Sequence, residues 1–286
     1  MIKVQAFDRF SELLDEVNLL LEETRSALEE ASNSKTSMEK SKHLFRANTF
    51  SRSGIVLLCG HFEGFLKSLL NEFSSEINDA KVQPEFVPAS LLEAVLETIL
   101  KRCNSGSGSE SYRRKLQDLV SGKASIEIDG KVFSDTGGNP KVDIIEKMLK
   151  RIGIIDAIEN LSQRDFGVTT HSQRSQVDIS FTARMKDILS TRSLDPSHIA
   201  QIEAEIVQLI EDKWKPKSVR RDVGYVATIQ ELLKKRNLIA HGEGDPKVTD
   251  VELERYIDEI KALALGLDQM THSQLTALCS VTASKS

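Results

Sequence analysis

The sequence predicts an all-α protein, a helical bundle interrupted by an inserted region that carries one small β-hairpin. Three observations predict it. Apolar residues recur at helical spacing in three long stretches, Ile55–Phe73, Val226–Ala240 and Leu253–Leu267. Polar runs rich in Gly, Pro, Asn and Ser, such as Asn104–Ser109 and Ser134–Pro140, separate such stretches. Strand-like alternation around an Asp-Gly turn occurs at Ile126–Phe133 (Ile-Glu-Ile-Asp-Gly-Lys-Val-Phe), which reads as a hairpin leaning on helices.

Taken in order, Phe7, Phe10, Leu14, Val17 and Leu21 form the inner stripe of a first helix that reaches about Glu30. Ala31–Ser41 is rich in Ser, Asn, Thr and Lys and reads as a loop. A second, long helix runs from about Lys42 to Asn78, its stripe made by Ile55, Leu58, Phe62, Phe65, Leu69 and Phe73. Gly60 and Gly64, four apart on it, leave room for a close neighbour. Glu63 sits at the edge of that apolar stripe and needs a partner. Either Lys67, one turn on, supplies it, or Glu63 reaches across the bundle to orient Arg236 or His241. A short helix is expected at Ala89–Arg102. Asn104–Ser109 is a polar linker without the context of a phosphate-binding loop.

After the hairpin, Val142, Ile145, Met148, Leu149 and Ile152 predict a helix ending at Gly153. Asn160–Ser180 is polar and irregular, and Phe181–Leu189 reads as a short helix. Asp195-Pro196 opens a further helix with an N-cap and a proline at the first position, closed by Trp214. Lys213–Arg221 gathers five bases around that tryptophan. It reads as a helix end joined to an exposed turn, with Arg220 and Arg221 open as phosphate contacts. Thr249 and Glu252 make a capping box ahead of the last helix, whose inner face is Leu253, Ile257, Ile260, Ala264 and Leu267. Residues 1–270 are expected to form one domain with an insertion over about 84–180, followed by a frayed Ser/Thr-rich tail, 271–286.

The chain has 286 residues, 43 acids against 38 bases, and a net charge of −5, so any nucleic-acid contact has to be a local basic patch rather than a general coat. Cys59, Cys103 and Cys279 have neither disulfide nor metal-ligand spacing, as suits a reducing cytoplasm. The N-terminus lacks a signal-peptide core, and no apolar run reaches transmembrane length, so a cytoplasmic protein with no membrane partner is expected.

The stretch with chemistry in it is Tyr225–Gly242, which ends Lys-Lys-Arg-Asn-Leu-Ile-Ala-His-Gly. Gly242 is a helix stop, since glycine enters the left-handed conformation at little cost. Asn237 and His241 are four apart and share a helix face; Arg236 is offset from them but long. His241 lies in the last turn, where the helix dipole favours a cation. Histidine is the side chain best suited to proton transfer near neutrality, and arginine binds phosphate bidentately. Basic residues in a last turn followed by Gly are also what helix-end physics alone selects, so spacing leaves catalysis and ordinary capping both open.

Arg236-Asn-Leu-Ile-Ala-His241-Gly resembles the signature of HEPN domains, an arginine followed four to six residues later by histidine, with Asn after the Arg. Val56–Lys67 (Val-Leu-Leu-Cys-Gly-His-Phe-Glu-Gly-Phe-Leu-Lys) and the Gly-Asn-Pro-led helix near 138–153 resemble the RiboL-PSP branch of that superfamily. The resemblance covers most of residues 1–270. It implies an all-α HEPN-like bundle and a metal-independent ribonuclease of a toxin or antiviral system, with no cofactor and no metal. The implied partners are RNA, a second copy in a homodimer, and an antitoxin or defence-system protein. In this reading His241 is base or acid, Arg236 stabilises charge on phosphate, and Asn237 fixes the ring or contacts phosphate. Glu63 is the orienting carboxylate, and Lys234, Lys235, Arg220 and Arg221 hold the RNA backbone. Some HEPN toxins carry a modifiable tyrosine two residues after the histidine; here that position is Glu243. The alternative is a non-catalytic HEPN module that binds a partner protein, nucleotide or RNA.

Overall fold

The computed structural model describes residues 5–104, 109–174, 217–242 and 246–283. Two long helices, α1 (Ala6–Asn33) and α2 (Ser37–Asp79), form an antiparallel hairpin joined by three residues. Their facing stripes, Phe10, Leu14, Val17 and Leu21 against Leu58, Phe62, Phe65 and Leu69, are buried. The tight connection has a local cause. Thr36 caps α2 with its hydroxyl, which accepts from Glu39 N at 3.2 Å, while the Glu39 carboxylate accepts from Thr36 N at 3.3 Å. The stretch expected as an eleven-residue loop is therefore mostly helix.

Beyond α2 come α3 (Ala89–Asn104), α4 (Ser109–Val120), a single turn α5 (Gly130–Phe133), α6 (Val142–Arg151) and α7 (Ala157–Phe166). The expected hairpin at Ile126–Phe133 does not form. Asp129 uses its carboxylate as a helix cap, accepting from Lys131 N at 3.1 Å, and the Gly-Lys-Val-Phe that follows turns into α5. Ahead of it, Ile126 N donates to Val82 O at 2.8 Å, and the Asn78 side chain bonds both Ile128 N and Ile128 O. The backbone groups a partner strand would satisfy are taken by the end of α2, and Ile126, Ile128 and Phe133 are all buried there. The two strands that do pair are β1 (His171–Arg174) and β2 (Lys217–Arg220), antiparallel, with His171 opposite Arg220. The helices expected at Phe181–Leu189 and from Asp195 to Trp214, the bases Lys213 and Lys215, most of the Asn104–Ser109 linker and Glu243 lie outside the described residues.

The last two helices are α8 (Tyr225–His241) and α9 (Asp250–Ala283). The Thr249/Glu252 capping box forms as expected, with Glu252 N donating to Thr249 Oγ1 at 3.1 Å. All five predicted inner-face residues of α9 are buried. The tail expected to fray after Thr271 continues as helix through Ala283, because Thr271, Leu275 and Leu278 extend the same buried stripe. The close helix approach expected at Gly60 and Gly64 lies elsewhere. A Cβ at either would meet nothing within 4 Å, whereas one at Gly54 would stand 2.8 Å from Leu253 of α9. α2 is long and apolar enough to cross a bilayer, yet half of its most apolar window is buried inside the bundle. The fold is all-α, and among the described residues the short β1–β2 ribbon is the one sheet.

Candidate active site

Helix α8 is fixed at both ends. At its start, Gly224 takes φ 55° and ψ −140° and presses on Ser162 of α7. Tyr225 N donates to Ser162 Oγ at 3.1 Å, and Tyr225 Oη donates to Asp165 at 2.6 Å. Along its length, Val226, Ile229 and Leu232 are buried in the core. Thr228 Oγ1 donates to Glu259 at 2.6 Å, and Arg255 of α9 pairs with Glu231 at 2.8 Å. The helix stops at Gly242, φ 66°, whose N–H reaches back to Ile239 O. His241 is therefore the last residue of a firmly seated helix, and it is exposed.

His241 lines a cleft of about 820 Å³. One wall is α8, with Gln230, Lys234, Asn237 and His241 one turn apart on a single face. The other wall is the start of α6, with Lys141, Val142 and Asp143, together with Arg220 of β2 and Asp222. Lys141 and Lys234 bring positive charge to it, with Arg220 beside them. The acidic chain thus carries a local basic concavity, tempered by Asp143 and Asp222. Arg220 is ion-paired with Asp143. The first residues of α6 line this opening, and no side chain caps the helix at Lys141.

Arg236 stands elsewhere. It lies about 140° around the helix from His241 and is half-buried on the side facing α2. There the thiol of Cys59 feels it. Burial pushes Cys59 up to about 12, Arg236 opposes that rise, and Glu63 adds to it. A thiol so disposed is protonated at neutral pH and is no nucleophile. Arg236 touches the cleft face only through Asn237, donating to its Oδ1 at 3.2 Å. Asn139, in the loop before α6, donates to the same oxygen at 3.0 Å.

The family model RiboL-PSP-HEPN matches residues 21–271, which span α1 to α9 and include this cleft. The chain belongs to the RiboL-PSP-HEPN family. Comparison with curated proteins and with solved structures gave no match. It is a HEPN module, a class generally related to ribonucleases and typically RNA-binding.

Within this HEPN fold, four of the eight site residues read from the sequence meet in the cleft: Asn237, His241, Lys234 and Arg220. The other four have different places. Lys235 points to α9 and pairs with Glu252 at 3.1 Å, occupied by a helix cap. The Arg221 guanidinium bonds the carbonyl of Thr169. Glu63 takes the local option. Its Oε1 accepts from Lys67 at 2.6 Å and from Thr136 at 3.0 Å, and neither Arg236 nor His241 is its hydrogen-bond partner. Arg236 supports the site from behind. Lys141 and Asn139 were missed, although the Gly-Asn-Pro turn just before α6 marks the segment that brings them in. Among the described residues no three His, Cys, Asp or Glu side chains gather as a metal-binding group.

Proposed function

We propose that this HEPN protein is a metal-independent endoribonuclease of a toxin or antiviral defence system. The observation that carries the reading is the exposed His241 at the end of α8, in an open cleft whose walls bring Lys141, Lys234 and Asn237 to it. RNA supplies its own nucleophile. His241 takes the proton from a 2′-hydroxyl, O2′ bonds to the adjacent phosphorus, and the P–O5′ bond breaks. The leaving O5′ takes a proton from an acid, and the products are a 2′,3′-cyclic phosphate and a 5′-hydroxyl. One histidine supplies one proton-transfer group, so a homodimer that brings in a second His241 completes the pair. Lys234, Lys141 and the start of α6 attract the phosphates. Arg236 acts on charge through Asn237, whose amide oxygen it holds. The three free cysteines suit a reducing compartment such as the cytoplasm.

A second reading, a non-catalytic module that binds RNA, a nucleotide or a partner protein, is favoured by two specific observations. Arg236 lies off the cleft face, which counts against catalysis, and Asp143 and Asp222 place negative charge where phosphate would sit, which within this reading favours a protein partner over RNA or a nucleotide. Incubation of total RNA and tRNA with purified protein in EDTA separates the two. Wild type is expected to leave cyclic-phosphate ends while His241→Ala and Arg236→Ala do not. No cleavage, or equal cleavage by all three, overturns the nuclease reading.

A further inference from the structure

We propose that Asn139 is a positioning residue that, together with Arg236, holds the oxygen of the Asn237 amide away from the cleft, so that Asn237 offers its NH2, a donor, to the substrate. The inference rests on the ribonuclease reading for what the donor acts on, but its geometry stands apart from it.

An asparagine amide has a carbonyl that accepts and an NH2 that donates, and the two are told apart only by their partners. Asn237 and Asn139 alone leave the choice open, because both amides could turn over together and keep one bond. Arg236 removes that freedom. A guanidinium only donates, and it meets Asn237 at Oδ1, 3.2 Å away. The oxygen of Asn237 therefore faces Arg236, and Asn139, bonded to that same oxygen at 3.0 Å, must present its own NH2. With Oδ1 holding two donors, the Nδ2 of Asn237 is turned the other way, on the residue that lines the cleft beside His241 and Lys234.

Asn139 can hold this orientation because its loop is pinned on both sides. Thr136 donates to Glu63 of α2 at 3.0 Å. Gly137 and Gly138, at φ 61° and 117°, make a turn that other residues resist. Pro140 is buried against Cys59, Phe62 and Leu233, and Lys141 follows directly into the cleft wall. Glu63 thus gains a role that its sequence position did not reveal, anchoring the strap that carries Asn139. An outward NH2 suits a non-bridging phosphate oxygen, where it steadies the charge that grows on phosphate.

The test compares Asn139→Asp with Asn139→Ala in the full-length chain. Aspartate keeps the shape but only accepts, so it competes with the hold of Arg236 on the Asn237 oxygen and draws the Asn237 NH2 toward itself, away from the cleft. Alanine merely deletes the contact. On tRNA, Asn139→Asp is expected to lower kcat by about tenfold or more, as loss of an aimed donor does. The added carboxylate should also weaken RNA binding and raise KM, so kcat at saturating tRNA is the readout; the thermal midpoint should stay near wild type, and Asn139→Ala should lose less kcat. Equal kcat in all three, or losses that follow the thermal midpoint with alanine the worse, overturns the proposal. Side-chain amide NMR keeps the question independent of RNA cleavage. In wild type the Asn139 NH2 should be protected from solvent exchange. The Asn237 NH2 should exchange freely and shift when a 2′-O-methyl RNA oligomer is added, and it should become protected in Asn139→Asp. An Asn237 NH2 already protected in wild type, with Asn139 exchanging freely, overturns the proposal. Absence of cleavage by wild type would strike the ribonuclease reading alone.

Discussion

Replacing His241 by alanine separates chemistry from stability more cleanly than any other change in this protein. The side chain is exposed and buries no core surface, so its loss leaves no cavity. What it removes from the fold is a favourable position at a helix C-terminus, worth about 0.3–1 kcal/mol. For a chain of this size that is a fall in Tm of about 1–4 °C. If His241 moves the proton in cleavage, the same change costs about 10²- to 10⁴-fold in rate. The two figures differ by several kcal/mol once the rate is converted at about 1.4 kcal/mol per tenfold, so ordinary destabilisation cannot mimic the rate effect. The assay is single-turnover cleavage of tRNA in EDTA, with thermal melts of the same samples. A His241→Ala variant that melts near wild type and cleaves within about threefold of it would refute the assignment of proton transfer. A variant that melts far below wild type would refute the reading of His241 as an exposed, structurally quiet residue.

Three further changes probe the surroundings. Asp143→Asn frees Arg220 from its ion pair and removes one negative charge from the cleft. Affinity for a short single-stranded RNA should rise, and its logarithm should fall more steeply with log salt, by up to about 0.7 for one added phosphate contact; unchanged anisotropy titrations would count against the cleft as the RNA site. Gly224→Ala puts a methyl group 2.9 Å from Ser162 at φ 55°, and should cost about 1–3 kcal/mol in urea unfolding through backbone strain at the start of α8. Asp268 has one carboxylate oxygen buried without a hydrogen-bond partner, and burial pushes its carboxyl above the ordinary range. The folded state then holds the proton more tightly than the unfolded chain, so stability from this group is present at low pH and is lost as pH rises through the raised value. Asp268→Asn should therefore gain on wild type in urea midpoint as pH goes from 4 to 7, and a gap that shrinks over that range would contradict the sign.

Much of the bundle was legible because its information is local. The stripes of α1, α2, α8 and α9 repeat within one turn, and the stops and caps at Gly242 and Thr249 lie beside the residues they serve. The misreadings share a cause, which is composition taken in place of geometry. Ser, Thr and Lys after Ala31 suggested a loop, although Thr36 and Glu39 have capping-box spacing. Ser and Thr after Thr271 suggested fraying, although Leu275 and Leu278 keep the stripe of α9. Ile-Glu-Ile-Asp-Gly suggested a hairpin because Asp-Gly sits between alternating residues, whereas Asn78 of α2 takes the backbone groups of Ile128 and Asp129 caps a helical turn.

The site divides along the same line. One helix face carries Lys234, Asn237 and His241, and that face follows from spacing alone. The same arithmetic turns Arg236 away from His241 and toward α2, a consequence of the motif itself rather than of any particular neighbour. The opposite wall could not be read this way. Asn139 meets Asn237 across 98 residues of sequence, and Arg220 meets Asp143 across 77, so neither pairing leaves a local pattern. An arginine and a histidine in one short motif need not act on the same face of substrate. Here the arginine reaches the cleft through an amide that it orients together with a distant loop, so in the proposed reading the motif's performance depends also on Asn139 and the strap that holds it. A chain with the motif intact and that loop altered should keep its fold and its charge yet lose the aimed donor, which makes the loop before α6 as informative about activity as the motif itself.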